Sequence, residues 1–199
     1  MTPLPLKPIS FAEPLPLRQS WLPEPEPGFQ PGEVRVGWTP DAFQVNAVLT
    51  DRDVFNPETR FNAPAFLEGD VFEIFVQPPG AETYFEFHVG PGNQLFQLRI
   101  PSSAEFYAAR DSGIRQDWLI QDSKINSEVD LGPGFWRVTA DIPASIMDVE
   151  RIGQGQAWKM SFCRYDANRS PDALFLSSTS PIKELDFHRS SEWIDFLIV

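Results

Sequence analysis

The sequence predicts an all-β fold: an antiparallel β-sandwich, jelly-roll-like, with about ten strands and little helix. Three observations carry that prediction. Apolar and polar residues alternate with a period of two in short runs after Glu33. Clusters of Gly, Pro, Asp and Asn separate the runs, and only the segment around Pro143–Asp148 reads as a helical turn.

In chain order, residues 1–32 form a Pro-rich arm and 33–199 the sandwich. Nine of the twenty prolines lie between Pro3 and Pro31, which denies that stretch helix or interior-strand pairing. Its apolar residues Leu4, Leu6, Ile9, Phe11, Leu15, Leu17, Trp21 and Leu22 predict an arm laid over the domain rather than a free linker. Beyond it, Phe43, Val45, Ala47 and Leu49 alternate with Gln44 and Asn46. Trp136, Val138, Ala140 and Ile142 alternate likewise with Arg137, Thr139 and Asp141. Further strands are predicted at 70–77, 83–89, 94–100, 114–121, 157–165 and 193–198, with turns at 78–82, 90–93, 132–134 and 153–155. The alternation puts Trp38, Trp136 and Trp158 in the core, and Cys163, the one cysteine, reads as a buried, inert thiol.

A chain of 199 residues with 17 Phe, 6 Trp and 3 Tyr can bury one real core. Its formal charge of −12 repels nucleic acid and anionic membrane surfaces, so neither is expected as a partner. No apolar run is long enough for a membrane span, and the first residues do not form a signal peptide. As written, the chain is expected to be cytoplasmic; a different native start would make it periplasmic or secreted. The sequence leaves its oligomeric state open.

Chemistry-bearing residues are sparse. His88 and His188 lie far apart in sequence with no metal-ligand spacing near either, and no nucleophile elbow or dinucleotide motif occurs. Glu73 and Glu86, mid-strand in consecutive strands, have the look of a glycosidase acid–base pair; the commoner reading is carboxylates on a solvated sheet face, or paired with Arg99, Arg137 or Arg164. The long loop 50–70 carries Asp51, Asp53, Glu58, Glu68 and Asp70. It could cradle a structural calcium ion, with Asp51 and Asp53 as candidate ligands, or stay a solvated acidic loop.

The run GDVFEIFVQPPGAETYFEFHVGPGNQLFQLRIP (69–101) resembles carbohydrate-binding module family 9, in which Asp-x-x-Glu-x-Phe opens a strand and a Tyr-Phe-Glu-Phe-like strand follows. Trp38 through Asp53, the Trp136–Pro143 strand, FCRYD (162–166) and LSSTSPIKELDFHRSSEWIDFLI (176–198) are similar to other parts of that family in the same order. The resemblance implies a β-sandwich that holds a sugar or a glycan chain end between two tryptophans, with polar side chains on the hydroxyls and calcium supporting loops. It maps Asp70 and Glu73 onto the Asp-x-x-Glu pair and Arg99 near a sugar-contacting arginine. Leu67, beside Phe66, stands where the first tryptophan is expected, and Thr179–Ser180 where the second is.

On this basis the ligand-binding candidates are Glu73, Arg99, Phe66, Asp70, Glu86 and Arg164, with Phe66 stacking on a sugar ring. Trp118, Trp193, Phe61 and Tyr107 are further aromatics that loops could bring in. Three readings follow: non-catalytic carbohydrate binding tied to carbohydrate catabolism, a glycoside-active enzyme using Glu73 and Glu86, and a β-sandwich that has lost its ligand.

Overall fold

The computed structural model describes residues 2–9, 12–113, 115–170 and 172–199. Phe11 of the arm and Ile114 of the 114–121 segment lie outside them. In chain order the strands are β1 (Leu4–Leu6), β2 (Leu15–Pro16), β3 (Gly32–Trp38), β4 (Ala42–Thr50), β5 (Val71–Gln77) and β6 (Tyr84–Val89). They continue with β7 (Leu95–Ile100), β8 (Asn126–Gly132), β9 (Phe135–Pro143), β10 (Ala157–Arg169), β11 (Asp172–Ser178) and β12 (Ile194–Ile198). A single α-helix among the described residues, α1, spans Ser103–Ala109.

Two sheets face each other. The smaller runs β2-β3-β4-β9-β8 and the larger β1-β12-β10-β5-β6-β7. Pairing is antiparallel throughout except between β1 and β12. β10 is long enough to share one edge between β12, at Ala157–Met160, and β11, at Cys163–Arg169. The core between the sheets is built by the alternation: Phe43, Val45, Ala47, Leu49, Trp136, Val138, Ala140 and Ile142 from one side meet Phe72, Ile74, Val76, Phe85, Phe87, Trp158 and Phe162 from the other. Leu6 and Leu17 of the arm join this core, and Trp38, half-buried, donates its indole N–H to the Leu6 carbonyl at 3.1 Å.

The larger sheet is covered on its outer face too. Phe75, Tyr84, Phe96, Leu98, Ile100 and Cys163 form a second apolar cluster there with Trp118, Ile182, Phe187 and Trp193 from the covering segments. This is why β5 and β6 are buried at nearly every position and show no wet face. The structure corrects three expectations. Residues 114–121 are not a strand: the described part forms a 3-10 turn at Gln116–Trp118 that lays Trp118 on Leu98 and its neighbours. β8 and β11, partly exposed strands of weak alternation, were not foreseen. Nor was α1, started by Ser102, whose hydroxyl accepts from the Glu105 N–H. The helical turn expected near Pro143 is the 3-10 turn Ala144–Met147.

Candidate functional site

The strand register assembles the site. Glu73 on β5 pairs with His88 on β6, which pairs in turn with Phe96 on β7; Glu86 pairs with Phe75 and Leu98. Glu73, Glu86 and His88 therefore share the outer face of the larger sheet, where they form the floor of a cavity of about 510 Å³. Its walls include Phe66, Phe96, Leu98, Phe106, Trp118, Tyr165, Phe187 and His188, and Leu67, Arg110, Leu185 and Asp186 also line it.

Loop chemistry aims the walls. The 3-10 turn Ala65–Leu67 after Pro64 presents Phe66, whose ring centre lies 5.6 Å from His88, 6.1 Å from Phe96 and 5.9 Å from Tyr165. That turn is anchored by Asn56, whose amide donates to the carbonyls of Ala65 and Asp70, and by Asp70, which accepts from the Phe55 and Ala167 N–H groups at 2.6 and 2.8 Å. Gly69 is required at the crossing, since a Cβ there would sit 2.4 Å from the Phe55 carbonyl oxygen. On the opposite side α1 places Phe106 flat on His188, with ring centres 3.5 Å apart.

The floor is a set of linked titratable groups. His88 Nε2 lies 2.5 Å from Glu86 Oε1, to which it donates, and 3.2 Å from Glu73 Oε1. Tyr84 Oη and His188 Nδ1 are 2.9 Å apart; with the hydroxyl as donor, the His188 ring proton sits on Nε2, which faces Glu86 Oε2 across 3.8 Å. Glu86 Oε2 and His88 Nδ1 are buried without a hydrogen-bond partner among the described residues. Burial pushes Glu73 up to about 8; Glu86 adds to the rise and His88 opposes it. For Glu86, burial also pushes upward, but His188 and His88 together hold it below the usual carboxylate value. His88 is lowered by burial and raised by Glu73 and Glu86, with a net rise, whereas burial leaves His188 lowered. Burial thus favours the protonated form of Glu73, while the two imidazoles favour the charged form of Glu86 and the two carboxyl groups favour that of His88.

Of the six residues proposed from sequence, Glu73, Glu86 and Phe66 line the cavity. Arg99, Asp70 and Arg164 do not. Arg99 lies on the other face of β7 from Phe96 and Leu98, half-exposed, with its Nε 2.7 Å from Asp148 Oδ2. Asp70 is consumed in stapling the loop. Arg164 alternates onto the inner face of β10 and is fully buried between the sheets, 2.9 Å from Asp51, 3.2 Å from Asp166 and 2.7 Å from the Thr50 carbonyl. Among the further aromatics, Trp118 reaches the cavity, while Phe61, Tyr107 and Trp193 do not line it.

The calcium expectation fares no better on donor chemistry. Asp51 is held by Arg164, and Asp53, half-buried, is bound by Arg169, whose guanidinium and backbone N–H both donate to it. Asp51, Asp70 and Asp166 bring carboxylate oxygens within 4.8 Å of one another, but the Arg164 guanidinium already supplies the positive charge at that point. These residues do not fit a calcium ion.

Sequence reading missed His88 and His188 as site residues. The signal for His88 was present, because Glu86 and His88 are two apart on one strand and so point the same way. His188 reaches the site through a loop whose path no local pattern reveals. No described helix is long and apolar enough to cross a membrane.

No family model matches the sequence, and no curated protein matches it. Solved structures do resemble the fold. A candidate carbohydrate-binding protein from Bacteroides uniformis superposes with a TM-score of 0.68 at 17% identity, covering 96% of this chain and 88% of that one. A family 9 carbohydrate-binding module from Caldicellulosiruptor kristjanssonii, solved with cellotriose, superposes with a TM-score of 0.63 at 12% identity over 100% of this chain and 90% of that one. Its complex with glucose gives 0.64 at 13% identity, over 96% and 86%. This chain has the β-sandwich fold of the family 9 carbohydrate-binding modules.

Proposed function

We propose that the protein is a non-catalytic carbohydrate-binding domain, serving carbohydrate catabolism, that takes a mono- or oligosaccharide into the cavity on the outer face of its larger sheet. One observation carries the reading: a polar floor of Glu73, Glu86 and His88 lies beneath aromatic walls in a cavity of about 510 Å³. Aromatic surface suits the C–H face of a pyranose, and ionised or protonated side chains give directional hydrogen bonds to hydroxyls. The likeness to a module solved with glucose and cellotriose supports a carbohydrate as the ligand. What favours binding over hydrolysis is that Glu73 and Glu86 both face one imidazole N–H, which lies between them where a glycosidic bond would have to fit.

Calorimetric titration with glucose, cellobiose and cellotriose tests the reading. Saturable binding, weakened in Glu73→Gln and without release of reducing ends, is expected. Absence of heat with every sugar would leave a sandwich without a ligand, and turnover lost in Glu73→Gln would make it an enzyme.

A further inference from the structure

The cavity floor holds more carboxyl oxygens than its own donors match. Glu73 Oε1 and Glu86 Oε1 both approach His88 Nε2, at 3.2 and 2.5 Å, and a single N–H there can be given well to one of them only. Glu86 Oε2 is buried without a hydrogen-bond partner among the described residues; the His188 ring nitrogen facing it is 3.8 Å away, too far for a hydrogen bond. The arginine at the cavity, Arg110, is already matched by Asp186 at 3.7 Å. Around this floor stand the rings of Phe66, Phe96, Phe106, Trp118 and Tyr165. Aromatic walls attract an organic cation, and a buried carboxylate short of donors gains a charge-assisted bond from one. A net charge of −12 on the whole chain steers cations inward.

We infer that the preferred ligand is an amino sugar, a hexose whose ammonium group sits on the Glu73–Glu86 floor while aromatic side chains cover its ring. The inference rests on the sugar-binding reading above and narrows its ligand class. A neutral sugar fills the same space but leaves the surplus carboxylate charge to a proton; an acidic sugar adds to it. In the free chain that proton resides on Glu73, and the ammonium takes its place, so binding releases one proton to solvent.

Titration of the unsubstituted protein with glucosamine, glucose and N-acetylglucosamine, under one set of conditions, isolates the charge at matched ring size. Glucosamine is expected to bind about tenfold or more tighter than glucose. N-acetylation, which removes the charge and keeps the nitrogen, is expected to abolish that gain. Glu73→Gln is expected to bring glucosamine to the level of glucose. The ranking of the three sugars decides the matter even if that variant does not fold. Glucose bound as tightly as glucosamine overturns the inference and leaves the sugar-binding reading in place. N-acetylglucosamine bound as tightly as glucosamine also overturns it, because the site would then read bulk and not charge. No binding of any of the three overturns both.

Discussion

His88 and Glu86, two residues apart on β6, hold Nε2 and Oε1 at 2.5 Å on a buried sheet face, with Glu73 completing the group from the neighbouring strand. Removing the imidazole leaves the acid groups of Glu73 and Glu86 facing each other away from water without the N–H they share. His88→Ala is expected to destabilise the fold by about 3 kcal/mol or more, and His88→Gln, which keeps an N–H donor, by less. Urea unfolding of the two variants gives the comparison; equal losses would mean that the hydrogen bond contributes nothing beyond the ring's volume.

Arg164 plays the same part on the inner face, where Asp51 and Asp166 depend on it. Arg164→Ala is expected to cost about 3–5 kcal/mol, and adding Asp51→Asn to recover part of that loss, because each substitution alone leaves a buried charge unmatched. A urea midpoint for Arg164→Ala close to that of the parent would show that the carboxylates are satisfied in another way.

Stability should peak on the acid side of neutrality. Burial raises Glu73 to about 8, Asp70 to about 7 and Asp166 to about 6. Folded, these carboxyls keep protons that the unfolded chain releases near pH 4, so between about pH 4 and 8 the folded state binds more protons and loses stability as pH rises. His88, raised, adds to the fall above its ordinary value; His188, lowered, acts in the opposite sense below its own. At the acid end the lowered carboxylates of Asp53, Glu58 and Asp117 lose their contribution as they protonate. The expected result is a maximum near pH 5 and a loss of at least about 1 kcal/mol by pH 8. A urea midpoint that climbs over that interval would contradict it.

Chelation should do nothing. With Arg164 on Asp51 and Arg169 on Asp53, addition of excess EDTA is expected to leave the thermal midpoint where it was, and added calcium not to raise it. A calcium-dependent rise in the midpoint would place an ion where the guanidinium groups now sit.

Two substitutions separate the cavity from the surface. Arg99→Ala removes an exposed ion pair on the far face of β7 and is expected to leave sugar affinity unchanged. Phe66→Ala removes one cavity wall and is expected to weaken binding about fivefold to tenfold. The reverse order in a calorimetric titration would move the site to the other side of the sheet.

How far the sequence reveals all this depends on how many sides of each strand are covered. β4 and β9 lie in the outer sheet layer with one wet face, so their period of two is plain and their register reads directly. β5, β6 and β7 are covered twice, which erases the contrast between faces. The alternation that separates Phe96, Leu98 and Ile100 from Gln97 and Arg99 is correct, yet the cavity lies on the apolar side, because α1 and the segment carrying Phe187 and His188 close over it. Arg99, the polar residue the strand pattern offered, therefore faces away from the cavity. Glu73, Glu86 and Phe66 were legible from their strand and loop positions; the covering segments, which supply Phe106 and His188, follow tertiary paths that no local spacing encodes.

The double burial of β5 and β6 has a consequence for how the chain finds its pairing. Where one side of a strand faces water, a slip by a single residue is penalised by exposing the apolar set, but here both sides are buried, and apart from Glu73, Glu86 and His88 the buried side chains on each are apolar or aromatic. The acid–imidazole group breaks that near-symmetry: a frame shift of one would drive Glu73 alone, or Glu86 and His88 parted from Glu73 and His188, among Phe72, Ile74, Phe85 and Phe87. The same three side chains that shape the cavity floor thus act as alignment pins for the sheet beneath it.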